Sequence, residues 1–163
     1  MFQGQLSKEQ ALQKLKHYCS YQERSHQEVK EKLYSYKLRK QDVEELLAQL
    51  IEDDYLNEER FAIQFAGGKF RMNQWGRVKI VQALKEKRVS QYCIHKALGE
   101  IDEAPYLLAL NKLASRKWAS LQKEKNLYMR SHKTKMYLMQ KGYEPSHIQQ
   151  ALQQLKGDNT SEN

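Results

Sequence analysis

Apolar residues recur along the chain in a pattern that repeats about every fifty residues. In each copy, apolar side chains occupy the same four offsets, and the last two offsets lie four residues apart on one face of a helix. The first two offsets flank a short turn. A repeat of this length is typical of helical repeat proteins. We call these four positions the anchors of each repeat. They are Leu33, Leu38, Val43 and Leu47, then Leu84, Val89, Ile94 and Leu98, then Leu138, Tyr143, Ile148 and Leu152.

Polar residues, glycine and proline between these positions mark where helices begin and end. Ser25 followed by Glu28 has the capping-box pattern of a helix start. Gly142 stands where a helix stops, and Pro145 opens the next one. Each copy therefore predicts three helices. The predicted ranges are 7–22, 25–36 and 40–53, then 57–73, 76–87 and 90–99, then 105–124, 127–141 and 145–156.

These elements predict an all-α fold of three tandem three-helix, helix-turn-helix-like repeats that form an elongated, curved module. The repeats are assigned to residues 1–56, 57–101 and 102–156, and the polar tail 157–163 is predicted to be disordered. The composition agrees, because 7 Gly and 2 Pro provide few of the turns that a β-rich chain needs. A mean hydropathy of −0.89 suits a body that buries little surface per residue.

One pair of residues disagrees with the helical pattern. Gly67 and Gly68 fall inside the fourth predicted helix, where each glycine costs about 1 kcal/mol relative to alanine. The pair therefore predicts that this helix bends or is interrupted at that point.

Charge is distributed unevenly along the chain. Residues 1–60 contain 10 Lys/Arg and 12 Asp/Glu, whereas residues 61–163 contain 18 Lys/Arg and 8 Asp/Glu. A basic excess confined to one part of a chain favours a polyanionic partner for that part. We therefore expect the second and third repeats to contact nucleic acid.

The repeat register identifies which basic residues share a surface. Counted from the first anchor of each repeat, positions −5 and +3 are lysines in the second and third repeats, whereas Glu28 and Tyr36 occupy them in the first. Residues eight apart lie on one side of a helix. Trp75 is added because aromatic side chains beside cations can stack on bases. The predicted binding residues are Lys69, Arg71, Trp75, Arg77, Lys79, Lys85, Lys87, Arg88, Arg130, Lys133, Lys135 and Lys141.

Other classes of protein find little support in the sequence. The apolar runs are shorter than the roughly 20 residues of a membrane span, and residues 1–10 lack the pattern of a signal peptide. Cys19 and Cys93 do not form a disulfide framework, which favours a reducing compartment and a cytoplasmic location. We predict no metal, no cofactor and no catalytic residue, because His, Cys and carboxylate side chains do not occur at ligand or catalytic spacing.

Three segments resemble a known family. The run of residues 53–62, DDYLNEERFA, and the run of residues 76–84, GRVKIVQAL, are similar in order and spacing to motifs of the RecX family. Ser25 to Leu33 resembles the family's first-repeat motif. Ala83 departs from the family's usual glutamate, and Arg88 stands where a glycine commonly ends the helix.

The resemblance implies a non-enzymatic regulator of the RecA recombinase. RecX proteins lie in the groove of the RecA–single-stranded-DNA filament and restrain ATP hydrolysis, strand exchange and filament extension. The expected partners are the RecA filament and DNA, single-stranded and also double-stranded, with the protein itself a monomer. Two alternatives stay open: a free-standing helix-turn-helix DNA binder and, with less support, a metal-dependent enzyme.

Overall fold

A computed structural model describes the backbone of residues 5–161 and the side chains of residues 5–157. Within these ranges the chain is entirely helical, as the sequence predicts. Side-chain caps begin several helices: Ser7, Ser25 and Asn126 each accept a hydrogen bond from a backbone N–H three residues further on. The helices are α1 (Lys8–Tyr21), α2 (His26–Ser35), α3 (Lys40–Glu52), α4 (Glu58–Asn73), α5 (Arg77–Glu86), α6 (Gln91–Gly99), α7 (Glu103–Ser120), α8 (Leu127–Lys141) and α9 (Pro145–Ser161).

Two helices differ from their predicted bounds by more than one residue. α7 begins at Glu103, two residues before Pro105, because a proline is tolerated throughout the first turn, where its missing N–H has no helical partner. The same helix ends at Ser120 rather than 124. α9 continues to Ser161, so the prediction that the helix stops at 156 is wrong. The end of the predicted tail, 162–163, lies outside the described residues.

The chain divides into two compact units. The first unit comprises residues up to Phe65 together with Leu84–Ala97, and the second comprises Ala66–Ala83 together with the residues from Leu98 onward. In the first unit, α1, α2 and α3 pack on one another around a shared apolar core. In the second unit, α7, α8 and α9 pack in the same pairwise way. The repeat boundaries at 56 and 101 stay a prediction.

The turn after the second helix of each repeat has the same local conformation. Lys37, Arg88 and Gly142 occupy equivalent positions, with φ values of 60°, 59° and 97°. This left-handed geometry ends a helix and is easiest for glycine, so Lys37 and Arg88 adopt it at a cost in free energy. The next residue in each case is apolar and buried, as are the first anchors Leu33, Leu84 and Leu138. These burials confirm the repeat register.

The prediction that Gly67 and Gly68 interrupt α4 is wrong, whereas the predicted bend at this pair stays a prediction. The helix runs without a break from Glu58 to Asn73. A Cβ on Gly68 would have no neighbouring atom within 4 Å, whereas a Cβ on Gly67 would meet the guanidinium of Arg71 at 2.7 Å. Neither glycine has the positive φ that would require it. Packing of the flanking turns therefore holds the helix despite the propensity cost of two glycines.

We therefore expect Gly68→Ala to stabilise the protein by about 1 kcal/mol, because alanine restores helix propensity and enters open space. Gly67→Ala should give a smaller gain, since the flexible end of Arg71 must move. Urea unfolding of both variants would measure the difference. A loss of stability in Gly68→Ala would show that this helix depends on glycine after all.

The start of α5 packs against the end of α8 through direct backbone contact within the second unit. The Gly76 N–H donates to the carbonyl of Lys141 at 2.8 Å, and the Val78 N–H donates to the carbonyl of Gly142 at 2.9 Å. A Cβ on Gly76 would lie 2.4 Å from the backbone of Gly142. A Cβ on Gly142 would lie 2.3 Å from the Cβ of Lys79. Glycine is required at both positions. The close contact fixes the start of α5, which carries Lys79, and the turn before it, which carries Trp75.

Two further features of the described residues bear on function. From residue 5 to residue 161, none of the helices combines the length and apolar character needed to cross a bilayer. Cys19 and Cys93 are both free and buried. Burial raises the pKa of the Cys19 thiol to about 11, so this side chain stays protonated and unreactive near neutral pH.

Candidate nucleic-acid interface

Trp75 lies in the turn between α4 and α5, between two lysines. The Nζ atoms of Lys69 and Lys79 lie 5.0 and 4.7 Å from the centre of the indole ring. Ammonium groups at this distance are attracted to the face of the ring. The preceding residue, Gln74, has a φ of 58°, and the Trp75 N–H donates to the carbonyl of Lys69. The turn is therefore well defined, and it holds an aromatic ring among cations.

Lys141 joins this group from the end of α8. Its Nζ donates to the carbonyl of Asn73 at 3.2 Å, two residues before Trp75. The hydroxyl of Tyr143 donates to the carbonyl of Gln74 at 2.9 Å. The close approach of Gly142 to Lys79 holds α8 and α5 together. Lys79 of α5 and Lys141 of α8 thus lie on the same part of the second unit, beside Trp75. We call Lys69, Trp75, Lys79 and Lys141 the Trp75 cluster.

Arg77, which the sequence also predicts as a binding residue, is held by contacts inside the second unit. Its guanidinium lies 3.8 Å from the centre of the Tyr106 ring and forms ion pairs with Glu103 at 2.6 Å and Glu144 at 3.0 Å. The Arg77 N–H donates to the Tyr106 hydroxyl, which in turn donates to Glu144. Only 19% of the Arg77 side chain is exposed. Its charge is balanced inside the second unit, which disfavours contact with a phosphate; its predicted role in nucleic-acid binding stays a prediction.

Two cations of α8 also make contacts within the second unit. Arg130 lies over the Trp118 ring at 4.2 Å and donates twice to the Trp118 carbonyl, which fixes its guanidinium against α7. Lys133 forms an ion pair with Glu124 at 3.1 Å, and this hydrogen bond lowers the pKa of the Glu124 carboxyl. Arg130 is therefore held in place by α7, and the charge of Lys133 is partly balanced; the binding roles predicted for both residues stay predictions. Lys135 is exposed.

The remaining predicted cations are distributed between the units. Arg71, in the second unit, is exposed at the end of α4. Lys85 and Arg88, in the first unit, are also exposed, whereas Lys87 forms an ion pair with Glu28 at 3.1 Å. Because Glu28 already balances Lys87, reversing the charge of Glu28 would release that lysine. The two positions are therefore not independent, which the repeat register alone does not reveal. The single surface predicted for both lysine pairs stays a prediction.

The structure thus defines an all-helical repeat protein with a cluster of lysines around one half-buried tryptophan. The fold therefore gives the class of protein, a helical repeat protein. Comparisons with known proteins give the family.

Two family models match the chain within its helical repeats. The second three-helix domain of RecX matches residues 57–98, and the third three-helix domain of RecX matches residues 106–152. The chain belongs to the RecX family.

Curated relatives agree with this assignment. The chain is 30% identical over 145 residues to a regulatory protein RecX of Bacillus mycoides and 28% identical over 139 residues to one of Oceanobacillus iheyensis. These matches cover 89% and 85% of the chain but 53% and 51% of the relatives, so the chain spans about half the length of the curated relatives it matches.

The fold is similar to solved RecX structures. The crystal structure of RecX from Lactobacillus salivarius superimposes with a TM-score of 0.83 at 21% identity, covering 91% of this chain and 96% of that one. A second crystal structure of regulatory protein RecX gives a TM-score of 0.79 at 21% identity, covering 87% of this chain and 70% of the other. At this identity the likeness establishes the helical repeat fold.

Proposed function

We propose that this protein regulates the RecA recombinase by binding in the groove of the RecA–single-stranded-DNA filament. Binding would restrain ATP hydrolysis, strand exchange and filament extension, and the protein would act by occupying the site rather than by chemistry of its own. Membership of the RecX family supports a regulatory role. The Trp75 cluster is the observation that carries the nucleic-acid part of the proposal.

The Trp75 cluster has the two features that single-stranded DNA requires. An indole ring can stack on a base of any sequence, which contributes about 1–3 kcal/mol per base. Lys79 and Lys141 provide positive charge beside the ring for the phosphates that flank a stacked base. Phosphate contacts release counterions and so supply much of the affinity without reading the sequence.

The charge of the second unit supports the same site. It contains 14 Lys/Arg and 7 Asp/Glu, a net charge of +7, whereas the first unit contains 14 and 13, a net charge of +1. A positive field of this kind attracts a polyanion and raises its rate of association. Within the second unit Arg77 and Arg130 are held by internal contacts, which leaves the lysines around Trp75 as the better candidates.

Charge reversal at two lysines tests the proposal. We expect Lys79→Glu with Lys141→Glu to weaken filament binding, and to lower the log–log salt slope for single-stranded DNA by about 0.7 for each phosphate that the variant no longer neutralises. Folding should be nearly unchanged, because substitutions away from the core usually stay within about 0.5 kcal/mol. Fluorescence anisotropy across a range of salt concentrations gives both quantities.

The double variant Lys112→Glu with Arg116→Glu is the matched control, because both exposed residues of α7 lie in the same unit and outside the cluster and the net charge changes equally. It should leave the slope within error of the unsubstituted protein. If both variants lower the slope equally, the effect comes from net charge and the Trp75 cluster is not the contact surface. If bare DNA binds as tightly as the filament, a free-standing DNA binder is the better description.

A further inference from the structure

A groove in the first unit combines tyrosines with cations. It has a volume of about 500 Å³ and lies between α1, α2 and the segment that joins them. None of the residues lining it is acidic. Tyr21 at its edge is 79% exposed, although it is a large aromatic side chain. The lining residues are Gln13, Lys14, His17, Tyr18, Tyr21, Arg24, Lys32 and Tyr36.

Arg24 is held in a fixed position inside this groove. Its Nε donates to the carbonyl of Tyr18 at 3.0 Å, and its guanidinium lies 3.7 Å from the centre of the Tyr18 ring and 6.0 Å from that of Tyr21. No carboxylate of the described residues forms an ion pair with it. By contrast, Arg60 and Arg77 each pair with two carboxylates. The terminal nitrogens of Arg24 are therefore oriented and available to an anion.

The neighbouring side chains strengthen the preference for a negatively charged ligand. The Nζ of Lys32 lies 5.6 Å from the centre of the Tyr18 ring, and Lys14 lines the other side from α1. The tyrosine rings offer flat, largely apolar surface between these cations. Tyrosine and arginine are enriched among the residues that dominate protein–protein interfaces. A tyrosine ring buries a large area while only two torsion angles are fixed.

The net charge of the first unit indicates whether this groove binds a peptide or a nucleic-acid strand. A strand binds through many phosphates and requires an extended positive surface. The first unit has a net charge of only +1, and the cations of this groove are Lys14, Arg24 and Lys32, of which Arg24 is oriented by a hydrogen bond. A guanidinium matches a single carboxylate in bidentate geometry. The groove therefore suits a short ligand with few charges better than a polyanion.

We propose that this groove binds a short acidic peptide segment of a protein partner, with a carboxylate on Arg24 and a neighbouring aromatic or aliphatic side chain against Tyr18, Tyr21 and Tyr36. The inference rests on the proposed function only for the source of the peptide, which would be the protein component of the filament. It assigns protein recognition to the first unit and DNA contact to the second.

A random dodecapeptide library displayed on phage tests the groove without assuming the partner. The library is selected on the immobilised full chain and counter-selected on Arg24→Gln, and the consensus peptide is then synthesised and its Kd measured by calorimetry. We expect Asp or Glu within two positions of an aromatic or aliphatic residue. We also expect at least a tenfold loss of affinity in Arg24→Gln and in Tyr21→Ala, whose exposed ring contributes little to folding.

Lys30→Gln is the control, because it removes one positive charge from an exposed position of α2 that does not line the groove. It should change the Kd by less than about twofold, since an exposed charge away from the ligand is screened by salt. A consensus without acidic residues, no enrichment over Arg24→Gln, or an equal loss in Lys30→Gln would overturn the proposal.

A second arm uses a thymidylate 20-mer. Its binding should survive Arg24→Gln and Tyr21→Ala, and a tenfold loss there would overturn the proposal in favour of a nucleic-acid strand in the groove. Failure of the proposed function is a separate observation, because the chain would then select acidic peptides yet not bind the RecA–DNA filament.

Discussion

Replacing Gly76 with alanine should destabilise the protein by about 3–5 kcal/mol. The new Cβ would lie 2.4 Å from the backbone of Gly142, and no rotation of a side chain can relieve a contact with the main chain. Overpacking at a tight site costs about 1–3 kcal/mol, and separating α5 from α8 also breaks two backbone hydrogen bonds of about 1 kcal/mol each. For a chain of this size, we expect the Tm to fall by roughly 10 °C.

Thermal unfolding followed by circular dichroism measures this effect. Gly99→Ala is the matched control, because it makes the same chemical change at the end of α6, where a Cβ would have no neighbour within 4 Å. The control should change the Tm by only a few degrees. Equal shifts in the two variants would show that α5 and α8 do not approach each other closely at Gly76.

Leu84→Ala should cost about 2–5 kcal/mol, because it removes buried methyl groups and leaves a cavity. Leu84 is the first anchor of the second repeat and is fully buried, at 0% exposure. Leu108→Ala makes the same change at a side chain that is 62% exposed and should stay close to the unsubstituted protein. Urea unfolding of the pair measures the difference. Similar stabilities for the two variants would contradict the repeat register.

Local signals in the sequence predict much of this fold. Helix ends follow from caps such as Ser25 and from the left-handed turn at Gly142, both of which depend on residues close in sequence. Most of the anchors are buried, and Leu47 and Leu98 are partly buried, because their spacing places them on one helix face, which a single segment reveals. The exception is Gly67–Gly68, where packing of the whole helix outweighs a local preference.

The candidate site is harder to predict, because its contacts join residues far apart in sequence. In the sequence Arg77 is one more cation in a basic run, and its partners Glu103 and Glu144 lie 26 and 67 residues away. Lys141 reaches Asn73 across 68 residues. Trp75 beside Gly76 is the one local signal that identifies the site. Arg24 lies only six residues from Tyr18, but the loop that turns it back over the ring has no distinctive sequence.

The most direct test of the central claim is the rate of RecA ATP hydrolysis on circular single-stranded DNA as this protein is titrated in. We expect the unsubstituted protein and the double variant Lys112→Glu with Arg116→Glu to suppress hydrolysis at similar concentrations. The combined variant Trp75→Ala, Lys79→Glu and Lys141→Glu should need at least tenfold more protein, since stacking of one base on an aromatic ring is alone worth about 1–3 kcal/mol. Equal suppression by the combined variant, with its fold intact, would contradict filament binding through the Trp75 cluster.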